Sequence, residues 1–92
     1  MGLLDKLKDI NEMRKQAKRM EGLLATEQVT GKSSGGKIVL VMDGNQNIKS
    51  VEVSSDIAGD KSEIARHIRS ALEDLFKHHK KMLQSKFGHM MQ

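Results

Sequence analysis

Residues Val29 to Val53 read VTGKSSGGKIVLVMDGNQNIKSVEV, and this stretch holds the strand chemistry of the chain and nearly all of its turn chemistry. Ile38, Val39, Leu40 and Val41 form a β-branched, apolar run between Gly35-Gly36 and Asp43-Gly44-Asn45, which are strand and turn signals. Ile38, Leu40 and Met42 then share one face, and Val39 and Val41 the other. Gly44-Asn45 suits a two-residue primed turn, so the chain is expected to fold straight back into a second strand over Asn47 to Ser54. Val51 and Val53 alternate with Ser50 and Glu52, whereas Ile48 is out of phase. Either a bulge lies near Lys49-Ser50 or Ile48 caps the far face. Glu27 to Lys32 reads as a weaker, polar first strand at an edge. Three antiparallel strands expose at least one apolar face, which flanking helices must cover.

Both flanks have helical periodicity. In the first, Leu3, Leu7, Ile10, Met13, Ala17, Met20 and Leu24 recur at spacings of three and four, predicting a helix from Leu3 to Ala25. Ile10, Met13, Ala17, Met20 and Leu24 fit a heptad seam, with Lys8, Lys15, Lys18 and Arg19 on the opposite side, diluted by Glu12. Such a helix is about 35 Å long, more than three short strands can cover, so part of its seam must meet another helix or a second subunit. In the second flank, Asp60 stands three residues before Glu63, as an N-cap does. Ile64, Ile68, Ala71, Leu72, Leu75, Phe76, Met82 and Leu83 follow on one stripe, with Arg66, Arg69, Lys77, Lys80 and Lys81 on the other. Gly88 is the expected stop. From Asp74 to Phe87 this helix is expected to overhang the centre by about 20 Å.

The fold class is therefore α+β, in a single domain over 1–92: helix 1–25, three-stranded antiparallel sheet 26–54, connector 55–60, helix 61–87 and tail 88–92. A 92-residue monomer buries only about 60% of its unfolded surface, which makes a partner chain an expectation. With no cysteine there is no disulfide framework and no thiolate chemistry. MGLLDKLKDI carries charges within its apolar residues, and no run reaches membrane-spanning length, so a cytoplasmic protein is expected.

The net charge of +4 is unevenly placed. Residues 1–25 carry six basic and four acidic side chains, residues 26–60 three and five, and residues 61–92 seven and three. Basic charge concentrated on two helices suggests a polyanionic partner, against the plainer reading of a solvated helix surface.

VTG, a short Gly/Ser turn, an apolar strand, Asp43-Gly44-Asn45, then IKSVEV, an acidic connector and a long helix resemble the YbaB/EbfC family of bacterial nucleoid-associated proteins. Arg14 to Met20, with its Lys-Gln-Ala and Met spacing, extends the likeness into the first helix. The chain departs from the family in ending FGHMMQ rather than in a Gly/Pro-rich tail. The resemblance implies an α-β-β-β-α subunit forming a homodimer, with helices projecting as paired arms that contact double-stranded DNA in the nucleoid. The residues expected to carry DNA binding are Lys8, Arg14, Lys15, Lys18, Arg19, Arg66, Arg69, Lys77, Lys80, Lys81 and Lys86. Those expected to build the core or dimer are Ile10, Met13, Ala17, Met20, Ile38, Leu40, Met42, Val51, Val53, Leu72, Leu75 and Phe76.

Apart from that likeness, Lys and Arg along two long helices can neutralise regularly spaced phosphates, which positions a protein without reading bases. Phe76 and Phe87, the two aromatic residues, fall on or near the apolar side, so no stacking platform for single strands is visible. Arg14, Arg19, Arg66, Arg69, Gln16 and Asn11 have the chemistry to read bases, yet nothing places them in a groove. Low or modest sequence preference follows.

Sharper readings compete with plainer ones. Gly31 to Lys37 imitates part of a phosphate-binding loop, but Ile38 stands where a metal-holding hydroxyl belongs and a strand follows where a helix is needed. A flexible connector explains it better. His78 and His79 point about 100° apart on a helix and make no i, i+4 metal pair. His67 and His78 face nearly alike but lie too far apart along the axis to share an ion. Met13, Met20, Met42 and Met82 fit adaptable packing, and Met90 and Met91 a frayed tail. Capping and turn chemistry explain Asp56, Asp60 and Glu63 without catalysis. No enzyme activity, cofactor, metal or small-molecule substrate is expected. The alternative function is a protein-interaction scaffold using the same amphipathic helices, with incidental affinity for DNA.

Overall fold

The computed structural model describes residues 3–88, with side chains from Lys8 onward. Its elements are α1 (Leu3–Ala25), β1 (Gln28–Lys32), a 3-10 turn (Ser34–Gly36), β2 (Ile38–Asp43), β3 (Ile48–Val53) and α2 (Lys61–Phe87). The α-β-β-β-α order and the antiparallel sheet, β1-β2-β3, agree with the expected fold class. The expectations for the side chains of Leu3 and Leu7, and for the tail with Met90 and Met91, lie outside the described residues.

Val29, Ile38, Leu40 and Met42 bury one face of β1 and β2 against Ala71 and Leu75 of α2, with Ile57 of the connector closing the end. Gly31 permits the close approach of helix to sheet. A Cβ there would stand 2.4 Å from the Ala71 carbonyl oxygen and 2.6 Å from the Leu75 backbone nitrogen. Asp60 caps α2 by accepting the Glu63 backbone N–H at 3.2 Å, as its spacing predicts. Gly88 has right-handed backbone and continues the last turn rather than reversing it.

The β2–β3 connection differs from the expected two-residue primed turn. Neither Gly44 nor Asn45 takes positive φ; Gln46 does, at 66°. Gln46 N–H donates to the Asp43 carbonyl at 3.1 Å and Asp43 N–H to that of Asn47 at 3.0 Å, giving a three-residue loop. The Asp43 carboxylate decides the geometry by accepting the N–H groups of Asn45 (2.8 Å) and Asn47 (3.0 Å). Hairpin loops of this length place a left-handed residue last. Of the two readings of Ile48, the bulge is the one found: Val41 pairs with Ser50 and Met42 with Ile48, leaving Lys49 as the extra residue.

Ile38, Leu40, Met42 and Leu75 are buried and Leu72 partly so, whereas Met20 is half-buried. Ile10, Met13, Ala17, Val51, Val53 and Phe76 are exposed in the single chain. The reason is reach: α2 lies over β1 and β2 but not β3, and α1 projects without extended packing on the sheet. The molecule is accordingly elongated, 64 × 23 × 20 Å.

Candidate nucleic-acid interface

With about 100° of rotation per residue, Arg66 lies opposite Leu75 on α2, and Arg69, Lys77, Lys80 and Lys81 fall within about 60° of Arg66. Because Leu75, Ala71 and His67 face the sheet, this basic arc faces solvent, and all five of its side chains are exposed. Arg66 pairs with Glu63 at 2.6 Å and Arg69 with Glu73 at 3.3 Å. Among the described residues no carboxylate pairs with Lys77, Lys80 or Lys81. Lys86 is separate from the arc, on the flank near Leu75, and reaches Glu27 at 3.4 Å.

On α1 the five candidates are exposed but not all on one side. Lys8, Lys15 and Arg19 lie opposite the seam, Lys18 beside them, and Arg14 about 60° from Ala17, nearer the apolar side. Met13, Ala17, Met20 and Leu23 line an apolar groove with Phe87 from the end of α2, bordered by Gln16 and Arg19.

Three polar clusters escaped the sequence reading because they join residues far apart in the chain. Ser33 Oγ accepts Ile38 N–H at 2.9 Å and bonds His67 Nδ1 at 2.8 Å, which accounts for the buried histidine. Asp74 and His78 reach over the outer edge of β1: the carboxylate accepts Lys32 N–H at 2.9 Å, and the ring Nδ1–H donates to the Thr30 carbonyl at 2.7 Å. His79 Nε2–H donates to the Gly44 carbonyl at 2.8 Å. The signal available for the last two pairs was the i, i+4 spacing of Asp74 and His78 and the position of His79 beside the buried stripe.

Lys37 forms a close ion pair with Asp56, holding the carboxyl below the usual carboxylate range, first through its hydrogen bond and then through its charge. Asp43 is lowered too, chiefly by the backbone and side-chain hydrogen bonds of Asn47. Ser34–Gly36 leads straight into β2, so the Gly31 to Lys37 segment lacks the helix N-terminus of a phosphate-binding loop. Among the described residues no group of three His, Cys, Asp or Glu is arranged to hold a metal ion, and no helix is long and apolar enough to cross a membrane.

Comparison with known proteins adds the family context. A nucleoid-associated protein of Hahella chejuensis is 29% identical over 87 residues, spanning 94% of this chain and 81% of that protein. A nucleoid-associated protein of Nostoc punctiforme is 32% identical over 62 residues, 67% of this chain and 54% of its relative. The crystal structure of an uncharacterized protein from Helicobacter pylori has the same fold, with a TM-score of 0.78 at 20% identity, covering 100% of this chain and 99% of that one. Residues 1–92 match the YbaB/EbfC DNA-binding family, and the chain belongs to that family.

Proposed function

We propose that this protein is a nucleoid-associated, double-stranded DNA-binding homodimer that grips phosphate backbones through the basic faces of its two helices. The observation that carries the proposal is the arc of Lys77, Lys80 and Lys81, exposed, without carboxylate partners among the described residues, and facing away from the packed side of α2. Arg66 to Lys81 spans about 22 Å of helix axis, enough to meet several phosphates. Arg66 and Arg69 join the arc by exchanging exposed carboxylates for phosphates, a small cost for surface pairs. On α1, Lys8, Lys15, Lys18 and Arg19 supply a second basic surface, with Arg14 and Lys86 peripheral to the two. Backbone contacts carry no base information, so sequence preference is low or modest.

The second copy is argued from the uncovered apolar surface. Val51 and Val53 sit on the sheet face that carries the core, and Ile68 and Phe76 flank α2 on the side away from the β1 edge, all exposed. Asp74 and His78 cap the edge of β1, whereas β3 has no side-chain cap on its outer edge among the described residues. An open edge beside exposed valines suits a self-complementary contact, and the α1 seam of Ile10, Met13 and Ala17 adds to it.

Replacing Lys77, Lys80 and Lys81 with Glu tests the DNA site. The expected result is a folded dimer, judged by circular dichroism and light scattering, whose affinity for a random-sequence duplex falls at least a hundredfold. Unaltered binding by that variant rejects the site. The same exposed apolar residues favour a second reading, a protein-interaction scaffold. A single stoichiometric partner retained after nuclease treatment, with no salt-dependent duplex binding, would establish it instead.

A further inference from the structure

The two basic helices are bridged by one residue, Gly44. Gly44 N–H donates to the Leu24 carbonyl, in the last turn of α1, at 2.9 Å, and the Gly44 carbonyl accepts His79 Nε2–H of α2 at 2.8 Å. The adjacent Asn45 side chain donates from Nδ2 to the Glu21 carbonyl at 2.9 Å, so the same loop holds α1 at two points one turn apart. These contacts matter because α1 has little else to fix it: its seam is largely exposed, it lacks extended packing on the sheet, and the Lys86–Glu27 pair is a surface one.

We propose that Gly44, Asn45 and His79 form a joint that sets the angle between α1 and α2, making them positioning residues for DNA binding. The geometry requires glycine for a reason separate from backbone freedom. Gly44 does not take positive φ, yet a Cβ there would lie 2.5 Å from the Leu24 carbonyl oxygen and 3.0 Å from Leu24 Cβ. Any side chain at this position pushes α1 off the loop without straining the hairpin. Two hydrogen bonds from one loop to the carbonyls of Glu21 and Leu24 fix both the position and the tilt of the last turn, and the rigid helix transmits that tilt to Lys8 and Lys15. One degree of tilt moves a residue about 20 Å away by about 0.3 Å, so a few tens of degrees shift it by more than the spacing of neighbouring phosphates. The His79 bond ties the same loop to the helix that carries Lys77, Lys80 and Lys81.

The functional half of this inference rests on the phosphate-gripping proposal, whereas the joint itself is measurable without DNA. The chain has no cysteine, so Glu12→Cys and Ser85→Cys carry a nitroxide pair at exposed sites, and dilution with unlabelled chain isolates the distance within one subunit. A narrow distance distribution is expected for the otherwise unchanged protein. Gly44→Ala is expected to shift it, and Asn45→Ala and His79→Ala to broaden it. His79→Gln, whose amide nitrogen can occupy the position of Nε2, is expected to restore the narrow distribution. Gly44→Ala is also expected to bind a duplex at least fivefold more weakly, with a shallower salt dependence because fewer phosphates are contacted together.

Unchanged distances in Gly44→Ala and His79→Ala would overturn the joint. If Gly44→Ala does not fold, the Asn45 and His79 variants decide the question by the same readout. Altered distances with unaltered duplex affinity and salt slope would overturn the positioning role. Failure of the unsubstituted protein to bind duplex would reject phosphate gripping, leaving the distances to decide the joint.

Discussion

Val51 lies directly opposite Leu40 across the β2–β3 pair, on the same face of the sheet, yet Leu40 is 6% exposed and Val51 58%. One strand separates a core residue from an uncovered one because α2 covers β2 and stops short of β3. If a second copy covers that face, Val51→Glu places a charge in an apolar interface and leaves the subunit core intact. The expected outcome is a monomer by light scattering with an unchanged far-ultraviolet circular dichroism spectrum. A dimer of undiminished affinity would place the contact elsewhere.

Gly31→Ala is expected to destabilise the subunit by about 1–3 kcal/mol, because the added methyl meets backbone of α2 rather than the end of a movable side chain. Urea unfolding measures the loss directly. A midpoint equal to that of the unsubstituted protein would contradict the close packing of α2 on β1.

Ser33→Ala removes the hydroxyl that accepts Ile38 N–H and bonds the buried His67. Leaving such a group without a partner costs about 1–3 kcal/mol. The loss is expected in urea unfolding, together with faster exchange of the Ile38 amide hydrogen. Unchanged stability and exchange would contradict a structural role for the Ser33 hydroxyl.

Asp43 ties the hairpin to pH. Hydrogen bonds from Asn47 and Asn45 stabilise its charged form and lower its folded-state pKa. Its contribution is therefore present above the ordinary aspartate pKa and is lost as pH falls through the lower folded-state value. Asp43→Asn is expected to be less stable than the unsubstituted protein at pH 7, with the gap narrowing under acid. A gap that stays constant in urea titrations down to pH 2 would contradict this linkage.

Much of the fold was legible in residue order. The Ile38 to Val41 run, the Asp60 cap and the spacing of apolar residues from Ile64 to Leu83 identify β2 and α2 because each depends on neighbours within a turn or two. The phase of Ile48 left two readings, a bulge near Lys49-Ser50 or a cap on the far face, and the strand pairing decides for the bulge. The form of the loop at Gly44 was not, since glycine there answers to Leu24, twenty residues earlier, rather than to local φ. His67 and His79 likewise take their roles from Ser33 and Gly44, across chain separations that periodicity does not span. Helical rotation placed Lys77, Lys80 and Lys81 on the solvent face and sets Lys86 about 20° from Leu75, apart from them, but it could not reveal the Glu27 partner of Lys86, which lies beyond α1.

The most direct test of phosphate gripping is titration of the purified protein with a random-sequence duplex across salt, with its mass measured in the same buffer. The account predicts a dimer whose log affinity falls linearly with log salt, the slope divided by about 0.9 giving the number of phosphates contacted. A dimer that leaves the duplex free even at low salt would contradict it, and the basic faces of α1 and α2 would be solvated surface.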